Sequence, residues 1–121
     1  MIFVIADDNV LSVYDSEAEL QGACEGIDVE DGVYKFFGPS GQPLNASFYE
    51  PNQKGKILGV LGWVVSGQYS LVPAKEGESP TLLQELQEVV GIDVNPHFKS
   101  LEEVRGFLTS HSSTPLRGRT R

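Results

Sequence analysis

The sequence predicts an α+β domain: an antiparallel sheet of five or six strands, with one helix in the N-terminal half and two C-terminal helices packed on it. Three observations carry this. Short β-branched and aromatic runs alternate with turn residues as far as Pro73, the pattern of hairpin strands. Ser16-Glu17-Ala18-Glu19 and Ser100-Leu101-Glu102-Glu103 are capping boxes, in which a Ser side chain and a Glu three residues on satisfy each other's free backbone N–H groups. The strands come first and most of the helix last, an order that argues against alternating parallel βαβ units. At 121 residues the chain has the size of one domain. The expected boundaries are 1–109 for the globular domain and 110–121 for a disordered basic tail.

Taken in order, Met1–Ala6 reads as a buried strand, Asp7-Asp8-Asn9 as a turn and Val10–Tyr14 as a second strand. In helix 1, Leu20, Ala23, Cys24 and Ile27 recur at helical spacing, and Gly26 is expected to end it in a left-handed turn. Asp28-Val29-Glu30-Asp31-Gly32 is an acidic connection. Val33–Phe37 and Leu44–Tyr49 form a hairpin across Gly38-Pro39-Ser40-Gly41, whose Pro and Gly placement fits a type I turn. Pro51 to Lys56 is a polar loop. Ile57–Val65 and Tyr69–Val72 are expected to pair around Ser66-Gly67-Gln68, with Gly59 and Gly62 marking a bulge or a close backbone approach. Helix 2 starts near Ser79-Pro80-Thr81, with Pro80 at the first helical position. Its stripe is Leu82, Leu83, Leu86, Val89 and Val90, and Gly91 ends it. Helix 3 buries Leu101, Val104, Phe107 and Leu108.

Charge is the strongest functional signal. Through His111 the chain carries 17 acids and six bases, and three arginines follow in the last ten residues, leaving a net −8. Summed negative charge repels nucleic acid and anionic membrane and steers basic macromolecules inward. The N-terminal apolar run stops after six residues at Asp7, and the later stretch Ile57–Val65 is also short. Both are too short for a signal-peptide core or a membrane span. Cys24 is the only cysteine, so no internal disulfide forms, which fits a reducing compartment. The expectation is a cytoplasmic protein with no cofactor.

Residues able to do chemistry are few. The acidic segment 28–32 lacks the alternate-ligand spacing of a calcium loop, so a solvated turn or a partner contact is preferred to a metal site. Asp7 and Asp8 follow a strand, where sheet enzymes place catalytic carboxylates, but neighbours on extended backbone point apart. His97 and His111 have no Cys, Asp or second His at metal-ligand spacing. Cys24 lies on an apolar helix face with no base one turn away to activate it. Tyr34, Tyr49, Trp63 and Tyr69 are read as core or cross-strand residues. Base stacking would need a basic groove beside them. Arg117, Arg119 and Arg121 give at most a weak, salt-sensitive attraction to phosphate.

The segments Tyr14–Glu19, Ile27–Tyr34 and Phe36–Leu44, a helix cap, an acidic turn and a hairpin, together resemble a group of small bacterial proteins. Some of that group are similar to the immunity proteins that accompany secreted bacterial toxins. The resemblance covers about the first 45 residues and implies binding without catalysis. The expected function is that of a non-enzymatic acidic binding protein, an immunity protein whose partner is a basic toxin or nuclease domain, with no role for nucleic acid or membrane. The expected contacts are Asp28, Glu30 and Asp31, then Glu76, Glu78, Glu85 and Glu88 around helix 2. The alternative is a small enzyme or ligand-binding domain with Asp7, Asp8 or His97 lining a pocket between sheet and helices. A third reading makes Ile57–Val65 an edge in a homo-oligomer.

Overall fold

The computed structural model describes residues 1–57 and 61–111. The fold is α+β: a six-stranded, mostly antiparallel sheet with helices on both faces, plus a separate two-stranded ribbon. In chain order the strands are β1 (Ile2–Ala6), β2 (Val10–Tyr14), β3 (Tyr34–Phe37), β4 (Pro43–Glu50), β5 (Gln53–Ile57), β6 (Leu61–Val65), β7 (Gln68–Pro73) and β8 (Gly91–Ile92). The helices are α1 (Glu17–Ala23), α2 (Gly26–Glu30), α3 (Leu82–Glu85) and α4 (Leu101–His111), with a 3-10 turn at Leu86–Glu88 after α3. The sheet order is β7-β4-β3-β1-β2-β8.

β1 is the centre because its residues are apolar on both sides. Side chains alternate across a strand, so Phe3 and Ile5 face one way and Val4 the other. Phe3, Ile5, Leu11, Val13 and Phe37 pack under Leu82, Leu86 and Val89 of the α3 segment and under Val104 and Leu108 of α4. On the opposite face Val4, Phe36 and Tyr69 pack against Leu20 and Cys24 of the α1 segment. Both cores are apolar in character, and no charged residue among those described is fully buried.

Local chemistry sets the element ends. Asn9 takes a positive φ of 63° in the β1–β2 turn, which asparagine tolerates better than most residues, and Val10 N–H donates to Asp8 Oδ1 at 3.0 Å. Ser16 caps α1 by accepting from Glu19 N–H at 3.1 Å, while Glu19 Oε1 accepts from Asp15 N–H rather than from Ser16. Thr81 caps α3 in a complete box with Gln84, so Pro80 lies before the helix rather than at its first position. Ser100 accepts from Glu103 N–H at 3.2 Å at the start of α4.

Several expectations are corrected. The N-terminal half holds two helices rather than one, because α2 occupies residues expected to form a turn. Gly26 is not a left-handed terminator; the positive-φ glycines are Gly32, Gly41 and Gly77. Gly26 instead sits where a Cβ would lie 2.8 Å from Gly67 O and 2.6 Å from Asn52 Oδ1. Ile57–Val65 is not one strand: β5 and β6 pair with each other, and Pro51–Lys56 contributes β5 rather than a loop. β7 then pairs with β4 instead of with its predecessor. Helix 2 ends early, and Gly91 opens β8, the one strand parallel to its neighbour, β2. α4 runs through Ser110 and His111, two residues into the expected tail. Gly59 and the three tail arginines lie outside the described residues, as does the Trp63 side chain.

Two glycines test this packing in opposite directions. Gly22 lies inside α1, and a Cβ added there would meet nothing within 4 Å, so Gly22→Ala should raise stability by about 0.5–1 kcal/mol through helix propensity. Gly26→Ala should lower it by about 1–3 kcal/mol because the Gly67 backbone cannot give way. Urea midpoints moving in opposite directions confirm the close approach; a stabilised Gly26→Ala protein contradicts it.

Candidate functional site

A concavity of about 590 Å³ lies where β3 and β4 part. These strands pair only through Phe36↔Leu44 and Phe37↔Pro43. Continued in the same register, Lys35 would oppose Asn45 and Tyr34 would oppose Ala46, but neither pair forms. The divergence follows from the chain entering β3: Gly32 at φ +77° brings it sharply out of α2, so β3 begins only at Tyr34. β4 continues to Glu50, held by β7 from Leu44 to Phe48 and, past a break in register at Tyr49, at Glu50. Val29 and Glu30 of α2, Tyr34 to Phe37 of β3 and Leu44, Asn45, Ala46 and Phe48 of β4 line the cleft, with Ser79 and Pro80 completing it. The walls mix aromatic and aliphatic side chains with polar groups, and the volume is that of an ordinary ligand site.

The charged groups of the cleft are already engaged. Lys35 Nζ donates to Glu85 Oε1 at 2.5 Å, with 62% and 18% of the two side chains exposed. Glu30 Oε1 accepts from Asn52 Nδ2 at 2.7 Å. Asn52 also donates to Gly26 O and accepts from Gly67 N–H, so it ties α2 to the segment before β7. Burial raises the Tyr34 phenol above its ordinary range, and the nearby Cys24 and Asp28 add to this.

Of the expected acidic residues, Glu30 lines the cleft, and others lie beside its lining residues in the chain. Glu30 forms part of the wall, and Asp31 follows it as the exposed C-cap of α2. Asp28 is half-buried within α2. Glu76 and Glu78 are exposed on a turn that leads directly into Ser79 and Pro80. Glu85 joins the site through Lys35. Glu88 is exposed on the 3-10 turn and does not line the cleft. The cleft itself was missed from sequence; its only signal there is the length difference between the strands of the hairpin.

The residues proposed for an enzyme are elsewhere. Asp7 and Asp8 are exposed in the β1–β2 turn, and Asp8 is a turn acceptor. The His97 ring pairs with Asp15 at the surface, and its loop is held by Asn95 Oδ1, which accepts from His97 N–H and Phe98 N–H. None of the three borders the cleft. Among the described residues no group of three His, Cys, Asp or Glu is placed to hold a metal ion, and no helix is long and apolar enough to cross a membrane.

Cys24 is 1% exposed. Its backbone carbonyl accepts from Tyr69 Oη at 2.6 Å, and its thiol is hydrogen-bonded by Tyr14 and Tyr34. Burial pushes the thiol from 9.0 to about 11 despite those bonds. Burial likewise raises Tyr14 and, more strongly, Tyr69. No protein-family model, curated protein or solved structure matches this chain.

These raised values fix the pH response. The folded protein keeps protons that the unfolded chain releases, so stability is full below about pH 9 and falls as pH rises through 11. Thermal melts should therefore hold level from neutrality to about pH 8.5 and then drop, with the tyrosines extending the loss to higher pH. Iodoacetamide should modify native Cys24 at pH 8 at least about a hundredfold more slowly than the urea-unfolded chain, since the thiolate is the reactive form. Equal labelling rates would contradict a buried, protonated thiol.

Proposed function

We propose that the protein is a non-enzymatic binding protein that captures a basic protein partner, in the manner of an immunity protein neutralising a toxin or nuclease domain. One observation carries this reading: Glu30 lines a cleft whose far wall, Ser79 and Pro80, directly follows the exposed acidic turn Glu76 to Glu78 in the chain. Acidic rims steer a basic partner into encounter and raise association rates to roughly 10⁸–10⁹ M⁻¹s⁻¹ at low salt. Desolvated aromatic and aliphatic groups at the centre then hold it. Tyr34, Phe36, Leu44 and Phe48 supply that centre. Six bases against 17 acids before the C-terminal arginines keep competing phosphate polymers away.

Of the two acidic choices read from sequence, this reading takes Glu30, Asp31, Glu76 and Glu78 as the contact and leaves Glu88 out. Lys35 would oppose a basic partner, and Glu85 neutralises it. Cytoplasmic residence follows from the same proposal, because an immunity protein must meet its toxin inside the producing cell.

Protection is the test. Co-expression with a toxin domain encoded beside this gene should restore growth of a sensitive host. The variant Glu30→Lys/Asp31→Lys/Glu76→Lys/Glu78→Lys should lose protection and slow association at least about tenfold at low salt, while losing no more than about 1 kcal/mol of stability, since all four side chains are exposed and the Glu30–Asn52 bond lies at the surface. Undiminished protection by this variant removes the rim from the reading. The lack of any neighbouring toxin that the wild-type protein inhibits removes the immunity role.

A further inference from the structure

The geometry points to the open edge of β4 as an acceptor for an extended, basic segment of the partner, which would add a strand within the cleft. This rests on the proposed binding role and names its mode.

Backbone direction can be read from the bonds at the ends of the strand. Gln42 O accepts from Gly38 N–H of the β3 side at 2.8 Å, and Pro43 O accepts from Ala74 N–H of the β7 side at 3.0 Å. Backbone groups alternate in direction along an antiparallel strand. Even-numbered residues of β4 therefore face β3, and odd-numbered ones face β7. β7 takes Asn45 and Ser47 opposite Val72 and Ser70. β3 takes only Leu44 and Pro43. The peptide groups of Ala46 and Phe48 thus face the cleft past the last β3–β4 pair.

The true outer edge of the sheet is treated differently. On β7 the outward groups are covered: Leu71 N–H donates to Glu17 Oε1 at 2.8 Å, and Tyr69 O accepts from Gln21 Nε2. Strand edges are normally blunted in this way, and among the described residues no such side-chain bond covers the Ala46 and Phe48 peptide groups. Side chains of an added strand would alternate between the Val29–Tyr34–Phe48 wall and the Lys35–Glu85 side. One flank would meet Glu30, and the other would run toward Ser79, which follows the acidic turn Glu76 to Glu78. The fitting chemistry is an extended segment with alternate small apolar residues and Lys or Arg at both ends. Main-chain bonds supply affinity in this recognition mode, and alternate side chains supply specificity.

The test uses the whole chain and a fluorescein-labelled heptapeptide of sequence KVTVTVK as probe. Fluorescence polarisation should give a Kd below about 100 µM, with amide NMR shifts centred on Tyr34, Ala46 and Phe48. Backbone N-methylation of alternate residues, which deletes donors and keeps side chains, should weaken binding at least about tenfold. The acidic counterpart EVTVTVE should weaken it by a similar factor at low salt. Ala46→Pro removes an N–H aimed at the cleft and none that β7 uses, and should abolish binding; should that variant not fold, the methylated peptide decides alone. Equal binding of methylated and unmethylated peptides, equal binding of the acidic peptide, or no binding of KVTVTVK by about 1 mM overturns the inference. Protection from toxin lost on rim reversal but without peptide binding leaves the binding role and removes strand addition. Peptide binding that depends on backbone donors without any protection does the reverse.

Discussion

Everything in this protein hangs on β1 being apolar on both faces. Phe3 is wholly buried, Ile5 3% exposed and Val4 2% exposed, so the middle of the strand is wetted on neither side. Such a strand cannot end a layer; it has to lie between two. Full burial of an aliphatic or aromatic side chain gains about 1.5–3 kcal/mol, so leaving either face open forfeits several such terms. The two cores are therefore not alternatives. The α3 and α4 segments close the side of Phe3 and Ile5, and α1 and α2 close the side of Val4.

That requirement shapes the connections. After β2 the chain has to cover the Val4 face and return beside β1, and α1 and α2 do both between Glu17 and Glu30. The two helices are short, and the sharp exit through Gly32 makes β3 short as well. β4 has no such limit, because it pairs along its far side with β7. A short strand beside a long one leaves a wedge. The cleft is thus a geometric consequence of how the Val4 face is covered, and the close approach of Gly26 to Gly67 is part of the same construction. Asn52 bonds both sides of that approach.

The polar groups are distributed with the same logic. Buried side chains are apolar apart from Cys24 and Tyr69, whose thiol and hydroxyl are both hydrogen-bonded. Carboxylates stay at turns, caps and rims. Unpaired charge is thereby kept out of the low-dielectric interior, where an ion without a partner costs several kcal/mol or more. A domain arranged like this concentrates its distinctive features at the surface, and the cleft is where a concave shape and the unpaired stretch of β4 meet beside Glu30.

The amino-acid sequence by itself determined most of the element types, the burial of β1, the caps at Ser16 and Ser100 and the acidic character of the exterior. These are local: alternation, helical spacing and cap chemistry act over a few residues. What lay outside its reach was pairing over long separations. β7 meets β4 rather than β6, and Gly91-Ile92 becomes a parallel partner of β2, because two residues carry no strand pattern of their own. Residues 28–30 read as a turn from their charge, yet they form α2 because Val29 has a core to reach. The meeting of Glu30 with Ser79 and Pro80 around one cleft was likewise decided only in three dimensions, since three strands of the main sheet and the whole β5–β6 ribbon intervene and no local rule brings such distant segments together.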